Sequence, residues 1–154
     1  MGDVMVITGA EEAKAAVGKH LGYSDWVEIT QERVNQFADA TGDHQWIHVD
    51  VERANAGPFG GPIAHGYLTL AITNLFLPDM LRVPSARLGL NYGANKVRFP
   101  AVLPVGSKVR AGATLVSVDR TPDGGYQIAA EATLSREGGE KPCCVAQTLA
   151  RLYF

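Results

Sequence analysis

The stretch Pro62-Ile-Ala-His-Gly-Tyr-Leu-Thr-Leu-Ala-Ile-Thr-Asn-Leu-Phe-Leu-Pro78 is the longest apolar segment of the chain, and its reading decides the fold. Pro62 stands where proline is tolerated best, at the first position of a helix, and Pro78 stands where a helix has to end. Between them Tyr67, Leu68, Leu70, Ala71, Ile72, Leu75, Phe76 and Leu77 point in nearly every direction around the axis. A helix apolar on all sides is a buried helix. A membrane span needs about 20 mostly apolar residues. Here His65, Thr69, Thr73, Asn74, Pro78 and Asp79 interrupt the run, so a core helix is the better reading and no membrane association is expected.

What covers such a helix has to come from the second half of the chain. Leu88, Leu90, Tyr92 and Ala94 alternate, and Val97 and Phe99 then take the opposite parity, which predicts a strand with a bulge near Asn95. Val109, Ala111, Ala113 and Leu115 alternate in the next strand. Thr121-Pro-Asp-Gly-Gly125 is a hairpin-type turn, and Ile128, Ala130, Ala132 and Leu134 continue the pattern. Glu137–Pro142 turns the chain again before a last strand over Cys143–Tyr153. These strands predict an antiparallel meander wrapped around one central helix, an α+β architecture. Long strands leave edges that a second copy of the chain would cover, so a homodimer is expected.

The stretch ahead of the apolar segment is shorter and more polar. Residues 10–17 are strong helix formers with Gly18 as a stop, and Trp26–Ile29 suits a brief strand. Thr30 is placed to cap a helix in which Val34, Phe37, Ala38 and Thr41 share one face, with Gly42 as a left-handed terminator. Asp43 therefore emerges just past a helix end. From His44 to Gly61 no period is sustained, and Gly57, Pro58, Gly60 and Gly61 crowd together, which predicts a long surface excursion. Long loops in compact domains tend to carry function.

Composition bounds the possible functions. The chain has 154 residues, 46% of them apolar, enough for one domain with a core, 1–154. Its net charge is −2 with 14 scattered basic residues, which carries no footprint for nucleic acid. The opening MGDVMVITGAEEAKAAVG lacks a basic segment followed by a long apolar one, so no secretory signal is expected. Cys143 and Cys144 are adjacent, which suits packing better than a disulfide or a metal site, and the expected compartment is the cytoplasm.

The run Phe37-Ala-Asp-Ala-Thr-Gly-Asp-His-Gln-Trp-Ile-His48, followed by Ala54 and then by Pro62-Ile-Ala-His-Gly66, resembles the hydratase signature of the MaoC-like, (R)-specific enoyl-CoA hydratases. The resemblance implies the hot-dog fold and the hydration of a trans-2-enoyl-CoA to a (3R)-3-hydroxyacyl-CoA, or the reverse. It implies Asp43 and His48 as the catalytic pair that holds and activates water, and Gly66 as the residue whose backbone N–H receives the thioester oxygen. Asn74 lies where relatives often carry a serine that orients the catalytic carboxylate. An acyl-CoA thioester is then the substrate, with no cofactor and no metal. The chain departs from the family pattern at Gln45-Trp46, where Asn-Pro is common, and unusual substrate preference is expected to originate there.

Hydration of a conjugated thioester needs a base for the water, an acid for Cα and stabilisation of the enolate oxygen. Asp43, His48 and Gly66 can supply them. The first turn of a helix leaves N–H groups without intrahelical partners, as Gly66 requires for that role. A buried Asn74 needs a hydrogen-bond partner, for which Asp43 is the candidate. His65 and Tyr67 beside Gly66, and Lys96 and Arg98 for the CoA phosphates, are weaker substrate-binding candidates. His44 and His48 are four apart, but Gly42 argues against a helix that would bring them together as metal ligands. An acyl-CoA thioesterase and a non-catalytic acyl-binding subunit remain alternatives. The first is disfavoured because the central helix carries no carboxylate before Pro78, the second because the Asp43/His48 pair is intact.

Overall fold

The computed structural model describes residues 3–154. In chain order it contains β1 (Met5–Val6), α1 (Ala10–Ala15), β2 (His20–Tyr23), β3 (Val27–Glu28), α2 (Gln31–Thr41), α3 (Trp46–Val49) and α4 (Val51–Asn55). Then follow α5 (Gly66–Ala71), α6 (Thr73–Phe76), a 3-10 turn at Leu77–Asp79, β4 (Leu81–Arg82), β5 (Leu88–Arg98), β6 (Lys108–Arg120), β7 (Tyr126–Arg136) and β8 (Cys144–Tyr153). This is an α+β hot-dog fold, with a long antiparallel sheet packed on a central helical segment. None of the described helices is long and apolar enough to cross a membrane.

The helix before the site has the ends that its residues dictate. Thr30 accepts a hydrogen bond from Arg33 N, and Gly42, at φ +80°, closes α2 with its N–H on the Ala38 carbonyl. Residues 44–61 are less irregular than expected. They contain α3 and α4, the second capped by the Asp50 side chain on Arg53 N at 3.1 Å. Helices of four and five residues are too short to establish a hydrophobic period, which is why none is visible in the sequence.

The central helix also starts later than Pro62. Residues 62–65 are extended and pinned on both sides: Ile63 N donates to Ile47 O, Ala64 N to Leu103 O and Val105 N to Pro62 O. Helical structure begins only at Gly66, pauses at Ile72, and runs through Pro78 as a 3-10 turn. Leu68, Ile72 and Phe76 are buried against sheet residues that include Val109, Ala111, Leu115, Ala130, Leu134 and Ala146. Alanines in the middle of the strands let the helix approach the sheet closely. Phe76 is fully buried, a contribution of about 1.5–3 kcal/mol from apolar transfer.

The opposite face of the helix is open in the single chain. Tyr67 is 70% and Leu75 43% exposed, so the segment is not buried on all sides.

The sheet order is β2-β6-β7-β8-β5, with β3 also paired to β6. β6, β7 and β8 form the expected meander, but β5 pairs with β8 rather than with its chain neighbour β6. Turn signals report local connections only, and the β5–β8 pairing is non-local. The turn Thr121–Gly125 forms as read, with Gly124 at φ +87°. The expected bulge is present between Asn95 and Arg98, where Lys96 takes φ 53°, and a second irregularity lies between Asn91 and Gly93. β5 is a sheet edge, and Leu88, Leu90 and Tyr92 on it are about half exposed. Cys143 and Cys144 are both buried and free; burial pushes the Cys143 thiol up to about 12, so both serve as packing residues.

Candidate active site

Three segments bring the reactive side chains together. Gly42 ends α2 and turns the chain so that Asp43 projects from the loop, its Oδ1 accepting from Gln45 N at 3.3 Å. α3 carries His48 into the interior, where it is 6% exposed. The extended segment before α5 delivers His65, which is 2% exposed. Asp43, His48 and His65 each place one ligand-type atom within 4.8 Å of the others.

The proton positions follow from the partners. His48 Nδ1 lies 2.6 Å from the Ile63 carbonyl, which can only accept, so Nδ1 carries the proton and Nε2 keeps a lone pair. His65 Nε2 lies 2.9 Å from the Asp43 carbonyl, so it carries the proton, and the buried His65 Nδ1 has no partner. The two imidazoles stack with centroids 3.8 Å apart and planes 24° from parallel. Phe37 of α2 packs on the other ring, its centroid 4.9 Å from that of His65. Burial holds the His48 pKa below the ordinary histidine value. The neighbouring His65 adds to this, while the Ile63 hydrogen bond and Asp43 oppose it. His48 is therefore a neutral base near pH 7.

Asp43, His48 and His65 form a group of the kind that could hold a metal ion, but their geometry does not suit one. An imidazole lone pair lies in its ring plane, and two nearly parallel rings 3.8 Å apart do not aim their nitrogens at a common point about 2.0–2.1 Å from each. His44 is not part of the group. It is exposed and paired with Asp39 at 2.9 Å, and that hydrogen bond raises its pKa.

His48 and Gly66 line one cavity of about 190 Å³, with Ile63, Thr69, Phe99, Leu103 and Cys143 among its walls. Gly66 is the first residue of α5, so its N–H has no acceptor within the helix. The ring of Phe99 lies directly over it: a Cβ built on Gly66 would stand 2.9 Å from Phe99 Cδ2. Thr69 Oγ1 donates to Gly66 O at 2.5 Å and fixes this first turn. Larger spaces lie elsewhere: two of about 430 Å³, one between β5, β8 and the helix and one around Arg110, and one of about 400 Å³ beside Pro104 and Lys141. None of these is lined by His48, which lines the smaller cavity.

The remaining candidates are placed less centrally. Asn74 is exposed and lines the space beside β5, with no hydrogen bond to Asp43. The expected pairing fails because Thr69 and Thr73 take the inward phase of the helix. Tyr67 is exposed and meets Phe99 edge-on at 6.1 Å. Lys96 is exposed at the bulge, and Arg98 Nη1 folds back onto the Val97 carbonyl at 2.7 Å. Trp46 packs outward, under the Arg53 guanidinium at 4.3 Å.

Gln31 escaped the sequence reading. Its Nε2 donates to His48 O at 2.7 Å and to Asn35 Oδ1, tying α2 to α3. A polar residue in the first turn of a capped helix carries no local sign of a partner 17 residues away.

The family model described as "MaoC like domain" matches residues 12–135. The chain is 56% identical over 137 residues to "3-hydroxyacyl-thioester dehydratase Z" of Mycobacterium tuberculosis, covering 89% of this chain and 91% of that protein. It is 39% identical over 145 residues to "Nodulation protein N" of Rhizobium meliloti, covering 93% and 90%. Among solved structures, an (R)-hydratase from A. caviae involved in PHA biosynthesis superposes with a TM-score of 0.71 at 20% identity, covering 89% of this chain and 96% of that one.

Proposed function

The chain belongs to the MaoC-like dehydratase family, and from that premise we propose that it is a hydro-lyase adding water to a trans-2-enoyl thioester to give the (3R)-3-hydroxyacyl thioester, and catalysing the reverse. The observation that carries the reading is His48. Its buried, neutral imidazole keeps Nε2 unprotonated and lines the cavity that Gly66 also lines, with one ring nitrogen within 4.8 Å of an Asp43 carboxylate oxygen.

In the hydration direction a water sits between the Asp43 carboxylate and His48 Nε2. Its oxygen bonds to C3 as the C2–C3 π bond breaks, one of its protons passes to the pair, and that same proton is then delivered to C2, which returns the pair to its starting state. The charge that develops on the thioester oxygen is met by the Gly66 N–H. Phe99 and Leu103 give the cavity apolar walls.

The thioester is carried on CoA, with Lys96 and Arg98, just ahead of cavity-lining Phe99, as the cations nearest in sequence for its phosphates, and with Tyr67 and His65 bordering the acyl path. Residues 1–154 act as one catalytic domain in a homodimer. A second copy pairing along β5 would cover its edge together with the open face of the central helix.

One assay tests the reaction. The protein is incubated with crotonyl-CoA and with a longer trans-2-enoyl-CoA, while loss of conjugated absorbance, free thiol and product chirality are followed. Loss of absorbance with a (3R) product is expected. Thiol release without hydration would make the protein a thioesterase, and binding without either change would make it a non-catalytic acyl-binding subunit.

A further inference from the structure

His65 is almost completely buried, touches both members of the reactive pair, and has no part in the reaction as written. Its Nε2–H is spent on the Asp43 main chain, and its ring covers one face of His48 at 3.8 Å. Asp43 sits in an exposed loop whose other restraints are the Thr41 hydroxyl at 3.4 Å and the Gln45 N–H at 3.3 Å, both long. His48 is tethered through its own Nδ1 to Ile63, two residues before His65 in the same extended segment. The segment before α5 thus grips the base with one residue and the backbone of Asp43 with the other.

We propose that His65 is a positioning residue for the pair: its Nε2–H clasps the Asp43 carbonyl while its ring face supports His48, so that carboxylate and base meet the same water. This rests on the hydratase reading for its kinetic consequences but not for its geometry. A small misplacement of reacting groups can cost about 10²-fold in rate, so a clasp on an otherwise loosely held loop has kinetic weight.

The arrangement also couples the two rings. A second imidazolium stacked on the first is disfavoured, so His65 keeps His48 in its basic form, in the same direction as burial. Asp43, from the loop after α2, acts oppositely. From the residue just before β8 the cavity receives the Cys143 thiol, which burial keeps protonated. α2 offers the neutral Gln31 and Phe37, α5 offers Thr69, and no Lys or Arg lines this cavity among the described residues.

Two substitutions divide the roles. His65→Phe keeps a ring against His48 and loses the N–H, whereas His65→Gln keeps a donor for the Asp43 carbonyl and loses the ring. We expect kcat on crotonyl-CoA to fall about 10–100-fold in His65→Phe with KM changed less than about 3-fold, and to recover at least partly in His65→Gln. In both variants the acid limb of kcat/KM should move to higher pH, because the second imidazole no longer opposes protonation of His48. Unchanged kcat with an unmoved acid limb, or a loss confined to thermal stability, would overturn the proposal.

Nitrogen NMR of the wild-type protein provides a readout that needs neither activity nor a folded variant. His48 should carry its proton on Nδ1 and His65 on Nε2 at pH 7. A proton on His65 Nδ1 would sink the idea. Absence of turnover in the wild type would instead count against the hydratase reading and leave the NMR result standing.

Discussion

Phe99 covers Gly66 so closely that any side chain at that position would meet its ring at 2.9 Å. The glycine is required for space and not for backbone conformation, since its φ is not in the left-handed region. Gly66→Ala should therefore destabilise the fold by about 1–3 kcal/mol through overpacking, and should lower turnover by displacing the N–H. Urea unfolding of Gly66→Ala, Phe99→Ala and the double variant forms the test. A coupling near zero would mean that the two residues do not compete for the same volume.

Asp43→Asn and His48→Gln should each reduce kcat by at least ~10²-fold while circular dichroism and unfolding remain close to wild type for the exposed Asp43. For His48→Gln some loss of stability accompanies the kinetic loss, because the Ile63 carbonyl loses a buried partner. A variant with near wild-type rates would remove that residue from the mechanism.

Stability should depend on pH through His48. Its folded pKa lies below the ordinary value of 6.5, so the unfolded chain binds the proton more readily. The associated stability is present above about pH 6.5 and is lost as pH falls toward the folded pKa. His44 works in the opposite sense, since its pairing with Asp39 adds stability below about pH 6.5 that disappears as pH rises. That pair is fully exposed and solvent-screened, so the His48 slope dominates. Unfolding between pH 5 and 8 should show falling stability on acidification, with a weaker slope in His48→Gln. An unchanged slope in that variant would assign the effect to another group.

Edge strand β5 presents Leu88 and Leu90, each 49% exposed, and Tyr92, 56% exposed. If a second copy covers this edge, Leu90→Lys should shift the protein from dimer to monomer in sedimentation or size-exclusion measurements and depress activity with it. A wild-type protein already monomeric at micromolar concentration would exclude this pairing.

Gln31 holds the His48 carbonyl at 2.7 Å across the α2–α3 junction, and its own Oε1 is buried without a partner. Gln31→Ala should cost about 1–2 kcal/mol and loosen α3, seen as faster hydrogen exchange at residues 46–49. Unaltered exchange there would show that the Ile63 contact alone is sufficient.

Much of this protein is set by residues acting on their near neighbours, and that much is legible in the chain. Thr30 and Gly42 bound α2 because a hydroxyl and a left-handed glycine settle the unpaired groups at helix ends, and this places Asp43. Alternation and the Thr121–Gly125 turn determine β6 and β7 in the same way. The resemblance of Phe37–His48 and Pro62–Gly66 to the hydratase signature nominates Asp43, His48 and Gly66 as the site. Only the tertiary structure decided that β5 lies against β8, that Asn74 faces away from Asp43, and that Gln31 reaches His48. The same is true of His65. Its burial, its tautomer and its stack on His48 depend on partners 17 and 22 residues away, which close packing brings together and no local period records.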